Sequence, residues 1–138
     1  MGLIYATIRL RNYDDILLAR KGYIKTDKIR GETIKVLVDT GASMLAITEH
    51  IKNQLGLNKV YEREVELADG RVQMLDVVGP IEITFENRVS ISSAFVLTQG
   101  EPLLGAIPME EMDVVLHPQS EKMIVNPESP YIPKLKLK

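Results

Sequence analysis

The chain has no cysteine, which excludes disulfide bridges and thiolate chemistry while leaving the compartment open. It has no charge bias either. Seventeen Lys and Arg stand against 19 Asp and Glu, a formal net charge of −2, so nothing in its overall charge favours nucleic acid or an anionic membrane. No apolar run approaches the ~20 residues that cross a bilayer. The stretch from Met1 to Leu10 mixes Thr7 and Arg9 into its apolar residues, unlike a signal-peptide core. The two histidines, His50 and His117, form no pair at a metal-ligand spacing, so neither a metal site nor a cofactor is expected. These absences make a soluble cytoplasmic protein the default expectation. What is present is an ordinary globular balance, 45% apolar and 26% charged in 138 residues, enough to bury the core of one domain.

Periodicity predicts a mostly β chain. Ile4, Ala6, Ile8 and Leu10 alternate with Tyr5, Thr7, Arg9 and Arg11, a half-buried strand. Ile16-Leu17-Leu18-Ala19 follows a polar run and is punctuated by Arg20-Lys21-Gly22. Gly31 marks a turn between two further strands, one around Tyr23 to Ile29 and one from Thr33 to Val38. Asp69-Gly70 between Glu64–Ala68 and Val72–Val77 is a hairpin signal. Glu86-Asn87-Arg88 predicts a second hairpin, joining Ile81–Phe85 to Val89–Ile91, and Ala94 to Leu97 reads as another short strand. Two short helices are expected. One runs from Glu49 to Leu55, capped by Thr48 and stopped by Gly56. In the other, Pro108 fits the first turn of a helix through Met112, with Glu110 and Glu111 near its positive end. From Pro127 the chain holds three prolines and then alternates Leu with Lys, a loose extension or a terminal strand. No internal repeat or linker divides the chain.

One segment carries chemistry: Val36-Leu37-Val38-Asp39-Thr40-Gly41-Ala42-Ser43. An apolar run delivers a carboxylate into a tight glycine turn, where burial and neighbours can set its protonation. Asp and Gly are common turn residues, and the plain alternative is a strand ending in an Asp-mediated turn. Context favours more. Apolar Met44-Leu45-Ala46-Ile47 follows, a hairpin lies about 30 residues on, and Leu103-Leu104-Gly105-Ala106-Ile107 precedes the second helix.

This order of strand, Asp-Thr-Gly-Ala-Ser, glycine-tipped hairpin, apolar-apolar-Gly and short helix resembles the single-domain, retroviral-type (retropepsin-like) aspartic proteases and their bacterial and cellular relatives. The likeness covers roughly Thr33 to Val125, and Asp113–Leu116 with Met123–Val125 resembles the closing hairpin of bacterial members. The resemblance implies an all-β, closed, barrel-like subunit with one or two short helices. A single domain would then span residues 1–138, its Pro- and Lys-containing tail beginning about 127. It also implies an aspartic endopeptidase. The motif occurs once, so the resemblance implies a homodimer with Asp39 of each copy activating one water against a polypeptide. No nucleic acid, membrane or metal is expected to take part. Thr40, Gly41, Ala42 and Ser43 would support the turn, and Leu103, Leu104 and Gly105 would form the ψ-shaped crossing behind it. Ala68, Asp69, Gly70 and Arg71 would be the flap over the substrate.

Three departures qualify the likeness. Pepsin-like enzymes usually carry Ser where this chain has Ala42; losing that hydroxyl implies an optimum less acidic than pepsin's. Viral enzymes often pair an Asp and an Arg at the positions of Ser43 and Ala106, and losing both partners together is tolerable. The flap tip is more charged and less glycine-rich than viral ones. Ser43 lacks a His base and is no nucleophile. Asp69 and Arg71 also read simply as turn residues, Asp76 and Asp113 as exposed structural carboxylates, and Lys134, Lys136 and Lys138 as a solvated tail. The rival expectations are a protease-like fold used for binding or assembly, and a subunit active only within a larger partner.

Overall fold

The computed structural model describes residues 2–137. Met1 and Lys138, the outer ends of the N-terminal reading and of the lysine tail, lie outside the described residues. The initial alternation forms β1 (Tyr5–Asn12), whose Ile8 and Leu10 are almost fully buried. Then come β2 (Gly31–Val38), β3 (Leu45–Thr48), β4 (Asn58–Glu66), β5 (Val72–Phe85), β6 (Arg88–Leu97) and β7 (Leu103–Leu104). These pair in the order β1-β2-β7-β3-β6-β5-β4, and β5 also pairs with β1. Six strands therefore close into a ring, with β4 attached outside it along β5. The ring is loosest at β7, which makes two parallel pairs with β2 and one antiparallel pair with β3. Inside it pack Val36, Leu45, Ile47, Val78, Ile81, Ile83 and Leu104. A separate hairpin of β8 (Val114–His117) and β9 (Lys122–Val125) places Val114 and Met123 against the same core. His117, expected in a loop, ends β8.

The four short strands expected between residues 72 and 97 are two long ones. Gly79-Pro80 forms an irregularity in the β5–β6 register, between Val78 and Ile81, without ending β5. Gly79 has φ +151 and a Cβ there would sit 3.1 Å from Ser93 Cα, so the close approach needs glycine. Besides β6, this one strand thereby serves two partners, β4 along its first half and β1 along its second.

Helix α2 (Glu49–Leu55) has the expected boundaries. Thr48 Oγ1 accepts from Ile51 N at 3.3 Å, and Gly56 closes the helix in the left-handed conformation at φ +61. Helix α1 (Tyr13–Arg20) was not foreseen. Asn12 caps it, accepting from Asp15 N at 3.0 Å, and Asp14 and Asp15 occupy its positive end. The strand expected around Tyr23 to Ile29 is instead a loop with one 3-10 turn, Thr26–Lys28. Buried Asp15 explains the difference. Arg30 grips it through Nε and Nη2 at 2.9 and 3.0 Å and through its own amide at 3.0 Å. That grip, Arg30 first, lowers the Asp15 pKa from its ordinary value, and it folds the loop back rather than extending it.

Helix α3 (Ala106–Met112) begins two residues before Pro108, so Glu110 and Glu111 lie beyond its first turn. Glu111 instead accepts from Ser90 Oγ at 3.1 Å and from Ile91 N at 3.4 Å. Asp113 is the clearest correction among the carboxylates. It is largely buried, its side chain 12% exposed, and it accepts from Ser129 Oγ, from Asn126 Nδ2 at 3.0 Å and from Lys134 N at 2.9 Å. These donors, Ser129 first, draw its carboxyl down to about 2. Residues 126–134 are accordingly neither a loose extension nor a strand but an irregular segment fastened to Asp113. Arg88 lies beneath, fully buried; Nη2 donates to Ser129 O and stands 3.9 Å from Asp113. Its Nε and Nη1 have no partner among the described residues.

Candidate active site

The turn after β2 is built by the strands that cross behind it. Leu37 N donates to Pro102 O at 2.9 Å and Asp39 N to Leu104 O at 3.0 Å, so β7 runs alongside the end of β2. The chain then passes under the turn. Ala106 N donates to Ala42 O and Ile107 N to Ser43 O, both at 2.9 Å. The first amides of α3, which no helical carbonyl can satisfy, find acceptors in the turn itself. Gly105 sits at the crossing. A Cβ there would lie 2.6 Å from both Met44 N and Met44 O and 2.7 Å from Ala42 O, which leaves room for hydrogen alone. Leu103, Leu104 and Gly105 cross behind the turn in a ψ shape, with Leu104 fully buried in the core.

Asp39 is half-buried at the mouth of this assembly. Gly41 N donates to its Oδ1 at 2.9 Å, and Ala42 N donates to its backbone carbonyl at 3.1 Å. Oδ2 has no hydrogen-bond partner among the described residues. A Cβ on Gly41 would come within 3.2 Å of Oδ1, so glycine keeps the amide close to the carboxylate. Thr40 and Ser43 are exposed, and neither side chain makes a hydrogen bond among the described residues.

Asp39 opens onto a cleft of about 560 Å³. Gly41, Ala42 and Ser43 form its floor, Leu75, Phe95, Leu97 and Leu103 its apolar wall, and residues 65–68 of the β4–β5 hairpin its roof. Of the four hairpin-tip candidates only Ala68 borders the cleft. Asp69 and Arg71 are engaged with each other, through Arg71 N at 3.0 Å and Nε at 2.6 Å, while Gly70 takes φ +86 in the turn. The wall residues were missed from sequence. Their signal was strand parity, since Leu75 with Val77 and Phe95 with Leu97 occupy alternate positions on one face.

Among the described residues no three His, Asp or Glu side chains are disposed to hold a metal ion, and no helix is long and apolar enough to cross a membrane. No curated protein matches the chain. A family described as "gag-polyprotein putative aspartyl protease" matches residues 26–109, which take in β2, the Asp39 turn, the hairpin, β7 and the start of α3. With that match over more than half its length, and with the ψ-shaped crossing behind an Asp-Thr-Gly turn in an all-β ring, the chain belongs to the retropepsin-like aspartyl protease family.

Proposed function

We propose that the protein is an aspartic endopeptidase that works as a homodimer, with Asp39 of each copy facing one water. The observation that carries this reading is the setting of Asp39, with one oxygen held by Gly41 N and the other free at the floor of a roofed cleft. One such carboxylate cannot serve as acid and base at once. Two brought together in a desolvated site cannot both ionise readily, so they share a proton and titrate as a unit. The ionised member removes a proton from water as the water attacks a peptide carbonyl, and the protonated member donates to the carbonyl oxygen. Thr40 is exposed beside Asp39, and in this reading it grips the partner's turn, as the family likeness implies. Substrate lies extended beneath the hairpin, bonded through its backbone as an added strand.

A mass-spectrometric digest of a diverse peptide library, run from about pH 3 to 8, tests this. Wild type is expected to cleave with an optimum between mildly acidic and neutral pH, since Ala42 offers the carboxylate no hydroxyl. Asp39→Asn is expected to cleave nothing while keeping its thermal transition. Equal activity in both proteins would assign the cleavage to a contaminant. A dimer that cleaves nothing would move the reading to a binding or assembly role.

A further inference from the structure

The β4–β5 hairpin has two chemically different faces. In its register Glu62 opposes Asp76, Glu64 opposes Met74 and Glu66 opposes Val72. Directly opposed residues share a face, so Glu62, Glu64, Glu66 and Asp76 gather four carboxylates on one side. The other side carries the pairs Tyr61–Val77, Arg63–Leu75 and Val65–Gln73. This second side is the inward one on three counts. Leu75 and Val65 line the cleft, Val77 is buried, and Gln73 Nε2 donates to Thr98 Oγ1 at 3.2 Å, just beyond the β6 wall.

Within the paired strand residues, Arg63 is the one charged side chain on that inward face. Among the described residues it makes neither an ion pair nor a hydrogen bond. The other nearby cations are occupied: Lys59 by Glu62 and Asp76, Arg71 by Asp69. The charged residues bordering the cleft are Asp39 and Glu66, both acidic. Arg63 is exposed and does not itself line the cleft, but it pairs with Leu75 and shares a face with Val65, both of which do, and its donors are uncommitted among the described residues.

Building on the reading of this cleft as the substrate groove, we infer that Arg63 is a specificity residue. It selects polypeptides with a carboxylate side chain, Asp or Glu, flanking an apolar segment at the scissile bond. A peptide laid as a strand sends alternate side chains toward the hairpin. One of these, away from the bond over Asp39, meets the Arg63 fork, whose planar donors suit a carboxylate.

The test uses full-length chain carrying Asp39→Asn, so that binding is read without turnover. The probes are fluorescent dodecapeptides with an apolar centre, in which each flanking position is in turn Glu, Gln or Lys. At one flanking position Glu should bind about fivefold tighter than Gln, and the advantage should shrink with added salt. Arg63→Gln should abolish the preference and Arg63→Glu should reverse it toward Lys, an inversion that a packing role for Arg63 would not produce. Unchanged selectivity in both variants, or no binding of any peptide, would overturn the inference. Cleavage of the same peptides by wild type reads the protease assignment separately. Cleavage indifferent to Arg63 sinks the specificity role alone, whereas Arg63-dependent binding without cleavage sinks the protease assignment alone.

Discussion

Asp113 and Arg88 are the two charged side chains on which the closing part of the chain is anchored, and they are unequally served. Asp113 has three donors besides Arg88, whereas Arg88 has two buried nitrogens without a partner. Removing the carboxylate strands a buried cation; removing the cation leaves the carboxylate satisfied. Asp113→Ala is therefore expected to lower the denaturation midpoint more than Arg88→Met, and the opposite order would refute this division of roles. The pH dependence follows from the sign of the shift. Asp113 has a folded pKa of about 2 against an ordinary value of 3.8, so its contribution is present above the higher value and is lost as pH falls through the lower one. Thermal melts across that acid window should fall steeply for wild type and less so for Asp113→Asn. None of this was legible in the sequence. Asp113 reads as a surface turn residue because its donors come from 13, 16 and 21 positions away, a separation that no local pattern encodes.

At the scale of elements, the crossing behind Asp39 and the helix after β3 offer the sharpest tests. Gly105→Ala would drive a methyl into the backbone of Met44 and Ala42. The expected cost is about 1–3 kcal/mol by chemical denaturation, with loss of any cleavage because the Asp39 turn shifts. Thr48→Ala removes the cap of α2 and should cost about 1 kcal/mol while leaving activity in place. Helix α2 was legible because its signals are local: Thr48 and Gly56 bracket seven residues. Helix α1 and the loop after it were not. The decisive contact, Arg30 on Asp15, spans 15 positions and overrides the extended look of Tyr23 to Ile29. The long strands β5 and β6 were read in pieces for a related reason. Gly79-Pro80 looks like punctuation in one dimension and acts as a bulge once a neighbouring strand carries the chain past it.

For the molecule as a whole, the single Asp39 makes concentration a variable of the proposed chemistry. Activity per chain is expected to fall on dilution below the dimer dissociation constant, in step with sedimentation. A strict monomer with undiminished cleavage would contradict the two-carboxylate scheme. The closure of the ring has a further consequence, which concerns solubility. Every strand of the ring has a neighbour on both sides, whereas β4 is paired along β5 alone, so among the described residues its outer side is open along the whole strand. An open margin of nine residues is a template on which other chains can stack. Here it is interrupted by the register shift between Lys59 and Tyr61 and flanked by Glu62, Glu64 and Glu66, features that deter lateral growth. Replacing those three glutamates with threonine should turn a dispersed protein into one that forms β-rich aggregates on gentle warming, visible as thioflavin binding before the thermal transition.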